Sequence, residues 1–429
     1  VLRLIVSDLV ANLRIWLGAL AVAAATAAVG AVVGCGLATA VAVGGDEALA
    51  LYAISGTILT LTAVTAVIVT GTVAGLTVTL QQRGYALWQL AGIGPGRVRA
   101  VVTAQLALVS LAGAAAGCLV AVPALRPLWR TVFPDLPFRF TTLAAVPVVL
   151  VVVAVVTIGG FRSAGRAGRT PPIRSLREPE PAARRMSAGR WIAGVSTLAV
   201  TVAIVASLPG GDPAKLTAPL TLLGPLTAGV LAAFSPLFLT GLLRAWTAVV
   251  PATASSAWFL ARNNTAYHLA RGTGAVNPIM VAIALAGGMY AADATVADSA
   301  PTAGTVLLLL GGPMLLALVG AAATIVMGSG PREREYALVL AAGGTPATVL
   351  VTAAAEAIIY VGTAALLGTA AVAVTALAGA WAIGGTPSFG LAAVAVVTGT
   401  GLALTLAATV APTALSLRND VPRTLAGDA

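Results

Sequence analysis

Few residues in this chain have types suited to covalent or metal chemistry, and their spacing does not serve it. The one lysine, Lys215, is followed by Leu216. A phosphate-cradling Gly-x4-Gly-Lys-Ser/Thr loop, whose lysine reaches the β- and γ-phosphates, is therefore absent from the sequence. The one histidine, His268, has no acidic or cysteine neighbours and reads as an interfacial side chain rather than a metal ligand. Cys35 and Cys118 sit in separate apolar runs without Cys-x-x-Cys spacing, so they read as small packing residues. No Ser/His/Asp set and no pair of carboxylates within one apolar run is visible. The chain is thus expected to be neither an enzyme nor the holder of a metal or cofactor. One carboxylate does interrupt an apolar run. Glu356 would cost about 2.5–3.5 kcal/mol at mid-membrane on insertion scales. It reads either as a gating or inter-helix contact, or as an interfacial group paired with an arginine or protonated.

The most informative residues recur. QQRGYALWQLAGIGPGRVRAVVTAQ (81–105) and REREYALVLAAGGTPATVLVTAAAE (332–356) align without a gap at an offset of 251. Arg83 falls on Arg334, Tyr85 on Tyr336, Leu87 on Leu338, Gly92 on Gly343, Pro95 on Pro346 and Gln105 on Glu356. Apolar helices resemble one another by composition, but not at Arg, Tyr, Gly and Pro together. Each copy predicts a short helix, a reversal at Gly and a new helix beginning at Pro. Because Gln105 is neutral where its counterpart is Glu356, a proton relay is disfavoured. A short helix of mixed polarity between two long ones is a lever that a partner can grip and move.

The elements that must hold these loops are set by composition. Of 429 residues 59% are hydrophobic and 9% charged, with a mean hydropathy of +0.99. That excludes a soluble enzyme, a disulfide scaffold and a disordered chain. Apolar runs near 15–42, 52–80, 98–122, 142–160, 191–208, 218–240, 275–292, 304–328, 346–378 and 389–414 predict about ten membrane-spanning helices, hence an all-α integral membrane protein. The seventh is the weakest, being short and containing Pro278, Gly287 and Gly288. The first run is too long for the apolar core of a signal peptide and reads as a retained span. Residues 1–14 and 255–271 predict amphipathic helices lying in the interface.

Of the 24 Lys and Arg, 20 fall in the N-terminus, 81–100, 161–190, 241–274, 329–345 and the tail, and four in the alternate loops. The positive-inside rule places both termini and both repeated loops in the cytoplasm, with short loops outside, in a multi-pass plasma-membrane protein. The net charge of +10 is then directed at anionic lipid, not nucleic acid. Residues 161–190, with eight Arg and two Glu, form a linker expected to bind anionic headgroups, with an additional contact to a cytosolic partner as the alternative. The 123–141 loop, with Trp129, Phe133, Phe138, Phe140 and three arginines, reads as an aromatic belt segment or as a lip for an amphipathic substrate.

The pattern around REREYALVLAAGG, with an acidic or amide residue thirteen positions after the Gly, resembles the FtsX/MacB-type permeases of type VII ATP-binding cassette (ABC) transporters. QQRGYALWQLAGIG fits less fully, having Gly84 where the family has Glu. The resemblance covers residues 1–160 and about 250–429. It implies two FtsX-like units of four spans (1–160 and 246–429), joined by the linker and by two extra spans (191–245), similar to the ten-helix permeases of bacitracin-type detoxification modules. It further implies that the repeated loops are coupling helices docking on a cytosolic ABC ATPase dimer, which alone binds ATP and Mg. The implied contacts are Arg83, Tyr85, Leu87, Gly92, Arg334, Tyr336, Leu338 and Gly343. Relatives often carry a large external domain where this chain has only 44–51 and 292–303. The expected activity is export or extraction of a lipid, amphipathic peptide or hydrophobic antibiotic. The alternatives are a non-transporting transmitter of motion to an external partner and an ion-coupled secondary transporter.

Overall fold

In hydrocarbon every backbone N–H and C=O must be satisfied within the protein, so a chain this apolar builds helices. The computed structural model describes residues 2–132, 136–140, 142–169, 186, 188–208, 213–251, 255–267, 269–296, 303–328 and 330–417, and all regular structure among them is helical. In chain order the first helices are α1 (Leu2–Ala11), α2 (Leu13–Val43), α3 (Gly45–Leu80), α4 (Gln82–Leu90), α5 (Pro95–Val132), α6 (Thr142–Arg169) and α7 (Ala188–Ser207). They are followed by α8 (Pro213–Thr247), α9 (Ser256–Tyr267), α10 (Leu269–Val296), α11 (Ala303–Met327), α12 (Gly330–Ala341), α13 (Pro346–Ile383) and α14 (Leu391–Ser416). Ten of these are long and apolar enough to cross a membrane, and each expected span falls on one of them. The protein is an all-α, multi-pass membrane protein. The four short helices are α1, α4, α9 and α12.

Two compact units form: Val1–Pro179 with Pro301–Ala323, and Glu180–Ala300 with Thr324–Ala429. In the first, α2 lies against α3, α5 and α6. Gly113 and Gly117 of α5 bring that helix onto the backbone of α2, where a Cβ on Gly117 would stand 2.8 Å from Ala24 Cα. Helices in lipid gain little from the hydrophobic effect, so close approach of this kind is what holds them. Ala23, Ala27, Ala114, Cys118, Val152 and Val156 close the core between α2, α5 and α6. The first part of α11 joins this unit, with Leu309 beside Val29, Val33 and Ile58 and with Gly320 against Val69.

In the second unit α10 packs on α13, α8 and α14. Gly368 of α13 rests on Ile283, and Gly224 of α8 rests on Ala284 and Gly288. Every residue of α10 from Gly274 to Met289 is buried. The weakest span of the sequence is thus the most enclosed helix of its unit. By contrast, α7 buries only Gly194 and Thr201 among its own residues. It leans on α8 through Trp191 and Phe234, whose rings meet edge to face at 5.5 Å.

The 123–141 segment differs from its reading as a loop. Helix α5 continues through Pro123 and Pro127 to Val132. Trp129, Leu136, Phe138 and Phe140 pack on Cys35, Ala40, Ala48 and Leu51, at the joined ends of α2 and α3. Trp129 Nε1 donates to Leu136 O at 3.3 Å, and Thr39 Oγ1 donates to Pro137 O at 3.3 Å. These aromatics cap the α2–α3 hairpin; Phe133 lies outside the described residues.

Pro278 shows how α10 tolerates a breaker. Proline has no N–H, so the carbonyl four residues earlier, Gly274 O, loses its helical donor. Thr324 Oγ1 donates to that carbonyl at 2.9 Å. Thr324→Val should therefore cost about 1 kcal/mol, and Pro278→Ala, which returns the helical N–H, should make the same change nearly silent. Thermal melts of the four members of this double-mutant cycle in detergent check it; strictly additive effects would show the two residues to be independent.

Candidate functional site

The two repeated segments have the same backbone construction. In the first, α3 ends at Gln81 and α4 follows at once. Gly92 N donates to Gln89 O at 3.0 Å, and Ile93 N donates to Trp88 O at 3.0 Å. This pair of bonds is a Schellman cap, and it requires its Gly in the positive-φ region. Gly92 has φ +88°. In the second, Gly343 N donates to Leu340 O at 3.0 Å and Gly344 N to Val339 O at 2.9 Å. Gly343 has φ +93°. The next helix then starts at Pro95 or Pro346. In the second copy Thr345 caps it, its Oγ1 accepting from Thr348 N at 3.2 Å. Gly94 stands at the corresponding place in the first.

The side chains divide by depth. Tyr85 and Tyr336 are buried, while Leu87 and Leu338 are 55% and 57% exposed. Leu90, Gly92, Gly94, Pro95 and Arg97 are exposed around the first turn, as are Ala341, Gly343, Thr345 and Pro346 around the second. Each segment therefore turns its tyrosine into the protein and offers a leucine and a glycine turn outward. Tyr85 meets Trp88 edge to face at 5.5 Å, and its hydroxyl donates to Gln81 Oε1. The tyrosines anchor the short helices, while Leu87 with Gly92, and Leu338 with Gly343, stand exposed beside them. The side chains of Arg83 and Arg334 lie outside those described, as does His268.

Gln105 and Glu356 each occupy the eleventh position of the helix that follows, about 15 Å beyond its proline at 1.5 Å per residue. Both are fully buried, at 0% exposure. Gln105 Nε2 donates to Asp8 Oδ2 of α1 at 2.8 Å, and Asn12 Nδ2 donates to Asp8 Oδ1 at 3.0 Å. Glu356 Oε1 accepts from Asn264 Nδ2 of α9 at 2.5 Å. Glu356 thus links α13 to α9. Sequence reasoning missed Asp8 and Asn264. The signal available was a single carboxylate in the amphipathic stretch 1–14 and an Asn-Asn pair in 255–271.

Electrostatics tie α4 to the same place. Burial pushes the Asp8 carboxyl above its ordinary 3.8, against the pull of the Gln105 and Asn12 amides. Burial, and after it the Asp8 charge, pushes the Tyr85 phenol above its ordinary 10.0. Asp8 thus bonds the long helix α5, and its charge is felt at the short helix α4. Nearby, the Arg99 guanidinium lies 4.0 Å from the centre of the Phe161 ring, joining α5 to α6. Among the described residues no group of three or more His, Cys, Asp or Glu gathers to hold a metal. No protein-family model matches the chain, and no curated protein matches it.

Proposed function

We propose that the chain is the membrane subunit of an ATP-driven transporter of the FtsX-like permease type, and that α4 and α12 are its coupling helices. The observation that carries this reading is the matched pair of Schellman-capped turns, each with a buried tyrosine and an exposed leucine. Two equivalent docking faces on one chain suit a partner with two equivalent halves, such as an ATPase dimer. The clustering of 20 of 24 cationic residues on alternate loops favours a cytoplasmic position for both turns. In this reading the chain is two FtsX-like units joined by α7 and α8, and the ATPase binds all of the ATP and Mg. The substrate class is hydrophobic or amphipathic, entering from the bilayer, because the spans offer aliphatic surfaces with few ionisable groups.

Leu87→Asp and Leu338→Asp test this. Affinity capture of the intact chain from its native membrane should bring down a nucleotide-hydrolysing subunit. Each single variant should weaken capture about tenfold, as loss of a buried interface anchor does, and the double variant should abolish it. Cysteines placed at 87 and 338 should react with impermeant reagents only from the inner side. Labelling from outside, or gradient-driven uptake by the chain alone in liposomes, would overturn the reading.

A further inference from the structure

The contacts of Gln105 and Glu356 are one device built twice with its polarity reversed. In the first unit the interfacial helix supplies the carboxylate, Asp8, and the long helix supplies the amide, Gln105. In the second the interfacial helix supplies the amide, Asn264, and the long helix the carboxylate, Glu356. A carboxylate facing an amide makes a charge-assisted bond whichever side carries the charge. The shared chemistry is therefore the pair, not either residue, and an alignment by residue type conceals it.

We infer that these two pairs rivet α1 to α5 and α9 to α13, so that each interfacial helix travels with the coupling segment ahead of its partner span. The inference rests on the reading of α4 and α12 as coupling helices. Three observations support it. The span partners have no exposure at all, so swinging an interfacial helix away would break a hydrogen bond made out of reach of water. Helix α9 is also held by packing: Ala257, Ala261 and Thr265 form one buried face, and Ala261 meets Leu243, Ala355 and Ile359. On the other side, both Asp8 carboxylate oxygens are bonded, one to Gln105 of the span and the other to Asn12 at the end of α1, so interfacial helix and span share one hydrogen-bonded cluster. Asp8, Gln105, Asn264 and Glu356 are then positioning residues for the transmission of force.

Polarity exchange distinguishes this from a merely structural role. Asn264→Asp sets two carboxylates against each other, and adding Glu356→Gln recreates the arrangement of the first unit. ATP-driven activity of the reconstituted complex should fall about tenfold or more in the single variant and return to within about twofold of the parent in the double. Gln105→Glu, rescued by Asp8→Asn, should behave alike. The melting temperatures of the purified chain without its partner should follow the same order. That arm needs no ATPase, so its failure counts against the rivet and not against the coupling reading. A covalent bridge between cysteines at 264 and 356 supplies the motion test: activity retained with the bridge closed is expected, and activity lost on closure overturns the proposal. Absence of rescue by either exchange also overturns it.

Discussion

A valine at Gly117 is expected to prevent the first unit from assembling. The atoms that its Cβ would meet are the carbonyl oxygen, the carbonyl carbon and Cα of Ala24, all backbone, the last two at 2.8 Å. A flexible side chain could rotate away from such a contact; a helix backbone cannot. Relief requires α2 and α5 to part, and that opens the contacts of Ala23, Ala27, Ala114 and Cys118 together. Overpacking of a well-filled core costs about 1–3 kcal/mol, and more where backbone is the obstacle. About 3 kcal/mol or more is therefore expected, enough to remove most of the monodisperse protein from a detergent extract. Gly84 supplies the control. It lies within α4 with nothing inside 4 Å of a built Cβ, so Gly84→Ala should leave the melting temperature unchanged or raise it by the equivalent of about 0.5–1 kcal/mol. Size-exclusion profiles and melts of the two variants decide the matter. A Gly117→Val chain eluting and melting like the parent would show that α2 and α5 are not in backbone contact.

The contrast between these glycines marks where sequence reading succeeds and where it stops. Ten spans were legible because hydrocarbon thickness imposes an apolar run that no loop imitates. Their quality was not. Gly287, Gly288 and Pro278 made 275–292 look like a poor helix, yet a Cβ on Gly287 would collide with Val372 and Val394, and Gly288 lies against Gly224. Glycine weakens an isolated helix but permits a close neighbour, and only the neighbour reveals which effect wins. The apolar run ending at 122 likewise placed the end of α5 ten residues early, because a helix can carry Pro123 and Pro127 where nearby groups satisfy the freed carbonyls. The repeated turns were legible to the residue because Gly at positive φ and Pro at a helix start leave unambiguous letters. The inward turn of Tyr85 and Tyr336 was not, since a nine- or twelve-residue helix has no period long enough to show which face is covered. Asp8 and Asn264 were illegible for a different reason. Their partners are 97 and 92 residues away, and the exchange of acid and amide removes the identity that would have flagged them.

The second large effect is expected at the turns themselves: if α4 and α12 are the coupling helices proposed above, it should fall on activity rather than on folding. Gly343 stands at φ +93° with nothing within 4 Å of a built Cβ. A side chain would therefore meet no obstacle; the whole cost is backbone strain, about 1–3 kcal/mol for a residue held in a sparsely populated region. The strain is relieved by releasing Gly343 N from Leu340 O and Gly344 N from Val339 O, which lets α12 lose its fixed angle to α13. The tertiary packing of α13 on α10 does not involve this turn, so the melting temperature should change little. Asn tolerates positive φ best, Ala less and the β-branched Val least. Substitution at 343 should accordingly reduce ATP-driven activity in the order Asn, Ala, Val, with Val losing about tenfold or more if its strain exceeds ~1.4 kcal/mol. Gly92 at φ +88° should give the same order. Gly94→Thr, which copies Thr345 at the matching helix start, should be silent, because a Thr cap there is at least as good as Gly. Transport and nucleotide hydrolysis measured on the same reconstituted complexes test this, since a turn that only sets the angle of a lever should let hydrolysis continue while transport fails. Equal activity across the Asn, Ala and Val series would mean that the angle between α12 and α13 is not what carries the stroke.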